Sequence, residues 1–539
     1  MVDSGAVNTN RVRNIVFALF VAAVIYVCFF HGLWNLGLVG PDEPRYAAVA
    51  REMLESGDWV TPRLWGQPWF EKPVLYYWST AMQFRVFGVN ETTARLPSAR
   101  MATLLTLALA WLAWHLYGGT TGRAVLLLFP TCVGVFGFAR AATTDMVFSA
   151  MLGLAMICAA RLVGFPAGSR PPRYWLMLFG VALGMATLAK GPAAIVLAGG
   201  SVGLWVIVTR RWREAFRLMY PSAVITFSMV ALPWYVLCAL RNPEFVQTFL
   251  LSHNIERYLT PVFQHEQPWW YYGPILLLGL APWTVLLAGV GRDGWARWRA
   301  GSWRDSSGFF LACWMLFPLV FFSISKSKLP GYILPALGPL VLLMARALGR
   351  AIEGKSHAAR WMMTGVGLTF VGLAGSASYW AKRLPADARL TEPGRLFAWA
   401  GVVAGCGVVV VLLALLNRAR FALVAAAVVQ AGLVLAIVTA ALPQLDQHVS
   451  PRSAYLAGRD LSQSGQILSA YKLHRAWRYG LNFYFQREIP EWDPATGGAA
   501  WVYMSLDDLR ELEKSGARIH EARVVARQAL LVYVEPGPQ

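Results

Sequence analysis

PDEPRYAAVAREMLESG (residues 41–57) follows the first long apolar run of the chain and does not become a second one. Asp42, Glu43 and Arg45 stand immediately outside that run. Val49, Ala50, Met53 and Leu54 mark one apolar stripe of a helix too polar to cross a bilayer, and Gly57 ends it. The stretch reads as a charged loop leading into an interfacial helix. Charges are costly at a membrane boundary unless paired or functional, so their placement along the rest of the chain carries the argument.

The chain has 539 residues, 57% of them hydrophobic and only 14% charged. Long uncharged runs recur at about 20 residues each, the length that crosses hydrocarbon. They lie near 14–35, 97–117, 124–139, 146–163, 174–189, 192–209, 219–240, 274–291, 308–324, 332–348, 361–381, 396–416 and 421–442. The expected fold is a polytopic α-helical membrane protein of about thirteen spans. The net charge of +19 does not point to nucleic acid. Much of it sits in short loops, RRWREAFR (210–217), GRDGWARWR (291–299) and RALGRAIEGKSHAAR (346–360), as the positive-inside pattern requires. The six cysteines lie in apolar runs without metal-like spacing, and they read as small buried residues.

Arg11 and Arg13 place the N-terminus in the cytoplasm. An odd number of spans then sends residues 443–539 outside. That segment differs in kind: ILSAYKLHRAWRYGLNFYF, AAWVYMSLDDLRELEKSG and ALLVYVEP alternate strand and helix patterns, so a small α/β domain is expected there. Residues 1–442 form the membrane domain, with external loops at 36–96 and 241–273.

By the same alternation PDEPRY (41–46), QPWFEKP (67–73), ARAATTD (139–145), AKGP (189–192), SHNIERYLTPVFQHEQPWWYY (252–272) and SKSKLPGY (325–332) share the external face. Each has an ordinary explanation. Asp42 and Asp145 suit helix N-caps, and Glu71-Lys72 suits a local ion pair. Lys190, Lys326 and Lys328 suit snorkelling, and Trp269 to Tyr272 suit an aromatic belt. What argues for function is coincidence, because carboxylates and cations from at least five loops share one side. Arg45, Lys72, Arg140, Arg257, Lys326 and Lys328 suit lipid phosphates. Asp42 and Asp145 suit a sugar hydroxyl or amine, or general-base work. Outside the membrane there is no nucleotide sugar, so a transferase there needs a lipid-linked donor. No P-loop, GxGxxG or GxSxG pattern supplies another chemistry.

The runs DEPRYAAVAREMLESGDWVTPRLWGQPWFEKPVLYYW, RLPSARMATLL, ARAATTDMVFSAMLGLAM, LAKGPAAIVL, NPEFVQTFLLSHNIERYL, PWWYYGPILLLGLAPW and FFSISKSKLPGYILPALGPL resemble the GT-C membrane glycosyltransferases of the protein O-mannosyltransferase superfamily. Within it they are most similar to the bacterial 4-amino-4-deoxy-L-arabinose transferases of lipid A. The resemblance implies a multi-pass enzyme of the bacterial inner membrane whose active site faces the periplasm. It implies an undecaprenyl phosphate-linked sugar donor, a lipid A phosphate acceptor, inversion at the sugar, and resistance to polymyxin and cationic peptides. It makes Asp42 and Asp145 the catalytic acidic residues. It assigns Lys72, Lys190, Arg257 and Tyr332 to the donor phosphate, with Arg45, Tyr46, Arg140, Lys326 and Lys328 as further binding residues. No nucleotide cofactor is expected. Glu71 and His253 are the candidate pair for a divalent metal such as zinc. Membrane lipids are expected partners, nucleic acid is not, and the sequence assigns no oligomeric state. Two other readings use the same residues: transfer onto protein or another glycan, and transport of a lipid-linked sugar.

Overall fold

The computed structural model describes residues 4–166, 168, 171–256, 266–383, 393–514, 517–526 and 529–535. The first nine helices are α1 (Ser4–Ile25), α2 (Asp42–Ser56), α3 (Leu75–Phe87), α4 (Glu91–Tyr117), α5 (Gly119–Thr131), α6 (Val133–Ala139), α7 (Thr144–Leu162), α8 (Tyr174–Lys190) and α9 (Ala193–Thr209). A short hairpin, β1 (Arg63–Leu64) with β2 (Gln67–Pro68), lies between α2 and α3.

Among the described residues, eight helices are long and apolar enough to span a membrane, or ten when two bent pairs are each counted once. The 17-residue apolar helices α8 and α9 and the 19-residue helix His357–Gly375 lie on the other expected runs, so each of the thirteen runs falls on a helix or a bent helix pair. The sequence pattern treats every apolar run as a straight span. The structure bends α5–α6 by 62° and Tyr272–Gly279 against Trp283–Arg299 by 105°, and it leaves α8 and α9 at 17 residues each. Two helices form the centre of the bundle: α7 is 83% buried along its apolar window, and Pro330–Glu353 is 89% buried. The outer helices Pro221–Arg241 and Gly394–Leu415 are 22% and 11% buried, as lipid-facing helices are. Local chemistry sets the start of α4. The Asn90 side chain accepts from the Thr93 amide, and the Thr93 hydroxyl accepts from the Asn90 amide, a reciprocal cap. The six cysteines are unpaired, five buried and Cys406 half-buried.

The last apolar helix runs on to Val449, and the helices and strands of the C-terminal α/β unit follow from Arg452. Its strands β3 (Leu468–Ala470), β4 (Ala500–Met504), β5 (Arg518–Ala526) and β6 (Ala529–Glu535) form one sheet in the order β3-β4-β6-β5. Strand β3 runs parallel to β4, and the other pairings are antiparallel. Helices Arg452–Gln463, Arg475–Phe485 and Leu506–Lys514 alternate with the strands, as the sequence pattern requires.

This unit sits on α2 and on the start of α4. Arg51 donates to the Phe483 carbonyl at 3.1 Å, and Tyr484 Oη pairs with Glu91 at 3.0 Å. Gly37 N donates to Asp446 at 2.7 Å. Helix α2 is also packed within protein, beyond what its apolar stripe predicts. Every residue from Glu43 to Arg51 is buried, and the helix is covered by protein on more than its apolar stripe. The sequence pattern reports an apolar face but cannot report a second layer packed over the polar one.

Candidate active site

Two carboxylates open two helices. Asp42 lies in the first turn of α2 and Asp145 in the first turn of α7, where the positive end of the helix dipole favours an anion. Neither side chain is a cap; Pro41 and Thr143 hold those positions without side-chain bonds. Each carboxylate instead meets a cation. Arg45 Nη2 donates to Asp42 Oδ1 at 2.6 Å and reaches Glu71 Oε2 at 2.9 Å, so one guanidinium bridges two acids. Lys72 approaches the other Glu71 oxygen at 3.4 Å. Asp145 is paired with Lys190, the last residue of α8, where the negative end of that helix favours an ammonium.

Lys190 Nζ also lies 4.7 Å from the centre of the Tyr332 ring. Gly331 makes this approach possible, because a Cβ there would stand 2.7 Å from the Asp145 carboxyl carbon. The SKLPGY turn is thereby packed directly against the acid. Asp42 and Asp145 act on each other electrostatically. The pKa of Asp42 is raised, first by burial. Arg45 opposes this, Glu71 adds to it, Lys72 opposes it and Asp145 adds to it. Even so, the Asp42 side chain is 45% exposed, against 9% for Glu71 and 18% for Asp145. Asp42 is the acid of this group that a substrate meets most readily.

A cavity of about 990 Å³ is lined by residues of 266–273 and 319–328; Asp42, Asp145 and their paired cations are not in that lining, and Tyr272 links it to them. Trp269, Trp270, Leu319 and Ile324 form its apolar wall, Lys326 stands exposed on it, and Tyr272 lies within electrostatic reach of Tyr332 and Asp145. The exposed carboxylate of Glu266 lines it too, with Lys326 and the buried Lys328, so an apolar wall is joined to cations and one acid.

Several expected binding residues have other work. Tyr46 is buried edge-on against Tyr76 and Tyr77, at centroid distances of 6.1 and 6.0 Å, and lies within electrostatic reach of Asp42 and Glu71. Arg45 is itself buried, with Trp69 and Tyr479 stacked around its guanidinium, and it positions Asp42 and Glu71. Arg140 donates to the Gly32 carbonyl at 3.1 Å and to that of Cys28 at 3.5 Å, closing the end of the first span. Lys328 is buried and donates to the carbonyls of Ser325 and Gln267, at 2.6 and 3.0 Å. Its pKa is lowered by burial and then by Lys326, with Glu266 opposing. Arg257 lies outside the described residues, and so does the side chain of His253. Among the described residues no group of three or more His, Cys, Asp or Glu side chains is arranged to hold a metal.

Sequence reasoning missed the pair that braces the site. Glu43 and Arg95 form a buried ion pair one residue from Asp42. Arg95 also donates to the carbonyls of Leu33, Leu36 and Gly37, while Glu43 accepts from the amides of Val39 and Ala142. The pair joins α2, α4, the first loop and the loop before α7. Its signal was present: an Arg in RLPSAR at the head of an apolar run needs a buried partner.

The dolichyl-phosphate-mannose-protein mannosyltransferase family matches residues 14–249. The undecaprenyl phosphate-α-4-amino-4-deoxy-L-arabinose arabinosyl transferase of Photorhabdus laumondii is 31% identical over 72% of this chain and 70% of its own length. The protein of that name from Edwardsiella ictaluri is 35% identical over 67% of this chain, a stretch that spans 64% of the relative. The crystal structure of ArnT from Cupriavidus metallidurans bound to undecaprenyl phosphate superimposes with a TM-score of 0.75 at 27% identity, covering 97% of this chain and 99% of that one. The fold is GT-C, with a multi-pass helical bundle and a small C-terminal sheet unit.

Proposed function

We propose that this chain, which belongs to the undecaprenyl phosphate-α-4-amino-4-deoxy-L-arabinose arabinosyl transferase family, moves aminoarabinose from undecaprenyl phosphate to a phosphate of lipid A. The reaction takes place at the periplasmic side of a bacterial inner membrane. The observation that carries this reading is the pair of cation-held carboxylates, Asp42 and Asp145, in the first turns of two helices and within electrostatic reach of each other.

The chemistry balances without nucleotide or base. A lipid A phosphate oxygen attacks the anomeric carbon of the donor. The bond from that carbon to the undecaprenyl phosphate oxygen breaks, and undecaprenyl phosphate leaves with the electron pair. Configuration inverts. The attacking phosphate is already ionised near neutral pH, so no proton has to be removed from it. Asp42, the exposed acid, holds the sugar ammonium or the acceptor in place. Lys72, Lys190 and Lys326 stabilise the departing phosphate, and Tyr332 orients Lys190. Lipid A carrying the added ammonium loses net negative charge, which weakens binding of polymyxin and cationic peptides.

For a divalent cation we propose Glu71 with His253, a carboxylate and an imidazole that together suit zinc. When bound it would add positive charge beside the donor phosphate. Metal content of wild type against Glu71→Gln tests this part on its own.

The function is tested by reconstitution. Purified protein, the undecaprenyl phosphate-linked donor and lipid A should yield aminoarabinosyl lipid A and undecaprenyl phosphate in equal amounts. Turnover with a protein acceptor and none with lipid A would overturn the reading.

A further inference from the structure

A second pocket, of about 310 Å³, lies between the Leu287–Arg299, Ser307–Ile324 and Leu334–Glu353 helices. It is far from the carboxylates. Gly331 touches Asp145 just before the Leu334–Glu353 helix begins, and Arg346 lies twelve residues into that helix, ~18 Å along its axis at ~1.5 Å per residue. The pocket therefore opens near the opposite end of the bundle, among the Arg-rich loops.

Its lining is unusual in charge. Arg346 is 7% exposed, and its Nε is buried without a hydrogen-bond partner. Its guanidinium rests 4.5 Å over the Tyr117 ring, and a Cβ at Gly308 would overlap its Nη1, so the glycine makes room for it. Arg297, half-buried, lines the same pocket and also has a buried Nε without a partner. The carboxylate in the lining, Asp293, is already paired with Arg350 at 2.9 Å. Asp293, shared in this way with Arg350, also acts electrostatically on Arg297, while Arg346 has no acid paired with it among the described residues; two guanidiniums thus line one cavity with a single shared carboxylate. A buried cation in that state is expensive unless an anion accompanies it. The remaining wall is apolar, with Leu343 and Phe309, and Trp298 and Trp303 stand at its edge.

We propose that this pocket binds a phosphoryl anion between Arg297 and Arg346, remote from the site of transfer. Planar guanidiniums match phosphate oxygens in a two-pronged way, and the apolar wall suits an ester chain attached to the phosphate. Two sources carry that chemistry: the headgroup of an anionic membrane phospholipid, and free phosphate.

Binding to the full-length purified chain separates them. Native mass spectrometry is titrated with phosphatidylglycerol and, separately, phosphatidylcholine, for wild type, Arg346→Gln and Arg297→Gln. Thermal melting is followed with inorganic phosphate against chloride at matched ionic strength. A phosphatidylglycerol complex that weakens about tenfold or more in both variants, with phosphatidylcholine unaffected, identifies a lipid headgroup. A phosphate-dependent rise in melting temperature that both variants lose, without a lipid effect, identifies free phosphate. Equal behaviour of wild type and variants toward both probes overturns the proposal. Should Arg346→Gln fail to fold, the half-buried Arg297 carries the test alone. Neither readout depends on glycosyl transfer, so failure here leaves the proposed reaction untouched.

Discussion

Glu43 grips Arg95 with both oxygens: Oε1 accepts from Nε at 3.1 Å and Oε2 from Nη2 at 2.7 Å, with side chains 7% and 4% exposed. Every remaining Arg95 donor direction is spent on a loop carbonyl, at 2.7 Å to Leu33, 2.5 Å to Leu36 and 2.8 Å to Gly37. This pair fixes the backbone immediately before Asp42 and, through the Ala142 amide at 2.7 Å, the loop that delivers Asp145. The two proposed catalytic acids hang from one buried bracket.

Removing one half of that bracket leaves an unpaired buried charge. Arg95→Ala should destabilise the protein by about 3–5 kcal/mol. Arg95→Leu combined with Glu43→Leu should cost less than the two single changes summed. Melting curves in detergent for the singles and the double decide it; strict additivity would show that the two residues do not act as a pair.

Gly331 has a steric role at Asp145. Gly331→Ala adds a methyl 2.7 Å from the carboxyl carbon, so either the SKLPGY turn or the Asp145–Lys190 pair must shift. Misplacing a reacting group by about 1 Å costs on the order of 100-fold in rate. Transfer should fall by about that much while the melting temperature stays near wild type. Unchanged turnover would remove Asp145 from the site.

Asp42 should cost stability where it is ionised. Its folded pKa is raised, mainly by burial, above the ordinary value near 3.9. Folding then favours its protonated form, and the penalty for ionising it appears as pH climbs through the raised pKa. Asp42→Asn should therefore melt at or above the wild-type temperature at pH 7.5, with the difference vanishing as pH falls toward 4. Arg45 keeps Glu71 in the variant, which prevents a new orphan charge. A marked loss of stability at pH 7.5 would show that the Asp42–Arg45 bond outweighs desolvation.

Asp42 should also not behave as an obligate base. With a phosphate acceptor the rising limb of the rate–pH profile belongs to the acceptor, near its second pKa of about 6. Asp42→Asn should lower the rate throughout and keep that limb. A limb present in wild type and absent in the variant would identify Asp42 as the base and favour a hydroxyl acceptor.

The membrane class, the C-terminal sheet unit and the Asp42 and Asp145 positions were legible because each rests on local pattern: apolar runs, strand alternation, or an acid at a helix start. Span alternation put ARAATTD and AKGP on one face, but the pairing of Asp145 with Lys190 is a finding of the structure. What was not legible required knowing what packs on what. Tyr46, Arg140 and Lys328 look like ligands in sequence, yet an aromatic cluster occupies the first and backbone carbonyls occupy the others. The burial of α2 depends on the Arg51–Phe483 and Tyr484–Glu91 contacts, whose partners lie some four hundred residues apart in the chain. The bends within two of the expected runs were not legible, because apolar length does not reveal a bend.

The central claim, that this chain adds aminoarabinose to lipid A through a site containing Asp42, is tested most directly by mass spectrometry of lipid A. The host is a strain without the activity, complemented with wild type or with Asp42→Asn at matched membrane levels. Wild type should give a pentosamine-sized addition that is absent with Asp42→Asn. Unmodified lipid A from well-expressed wild type, or equal modification by the variant, would contradict the claim.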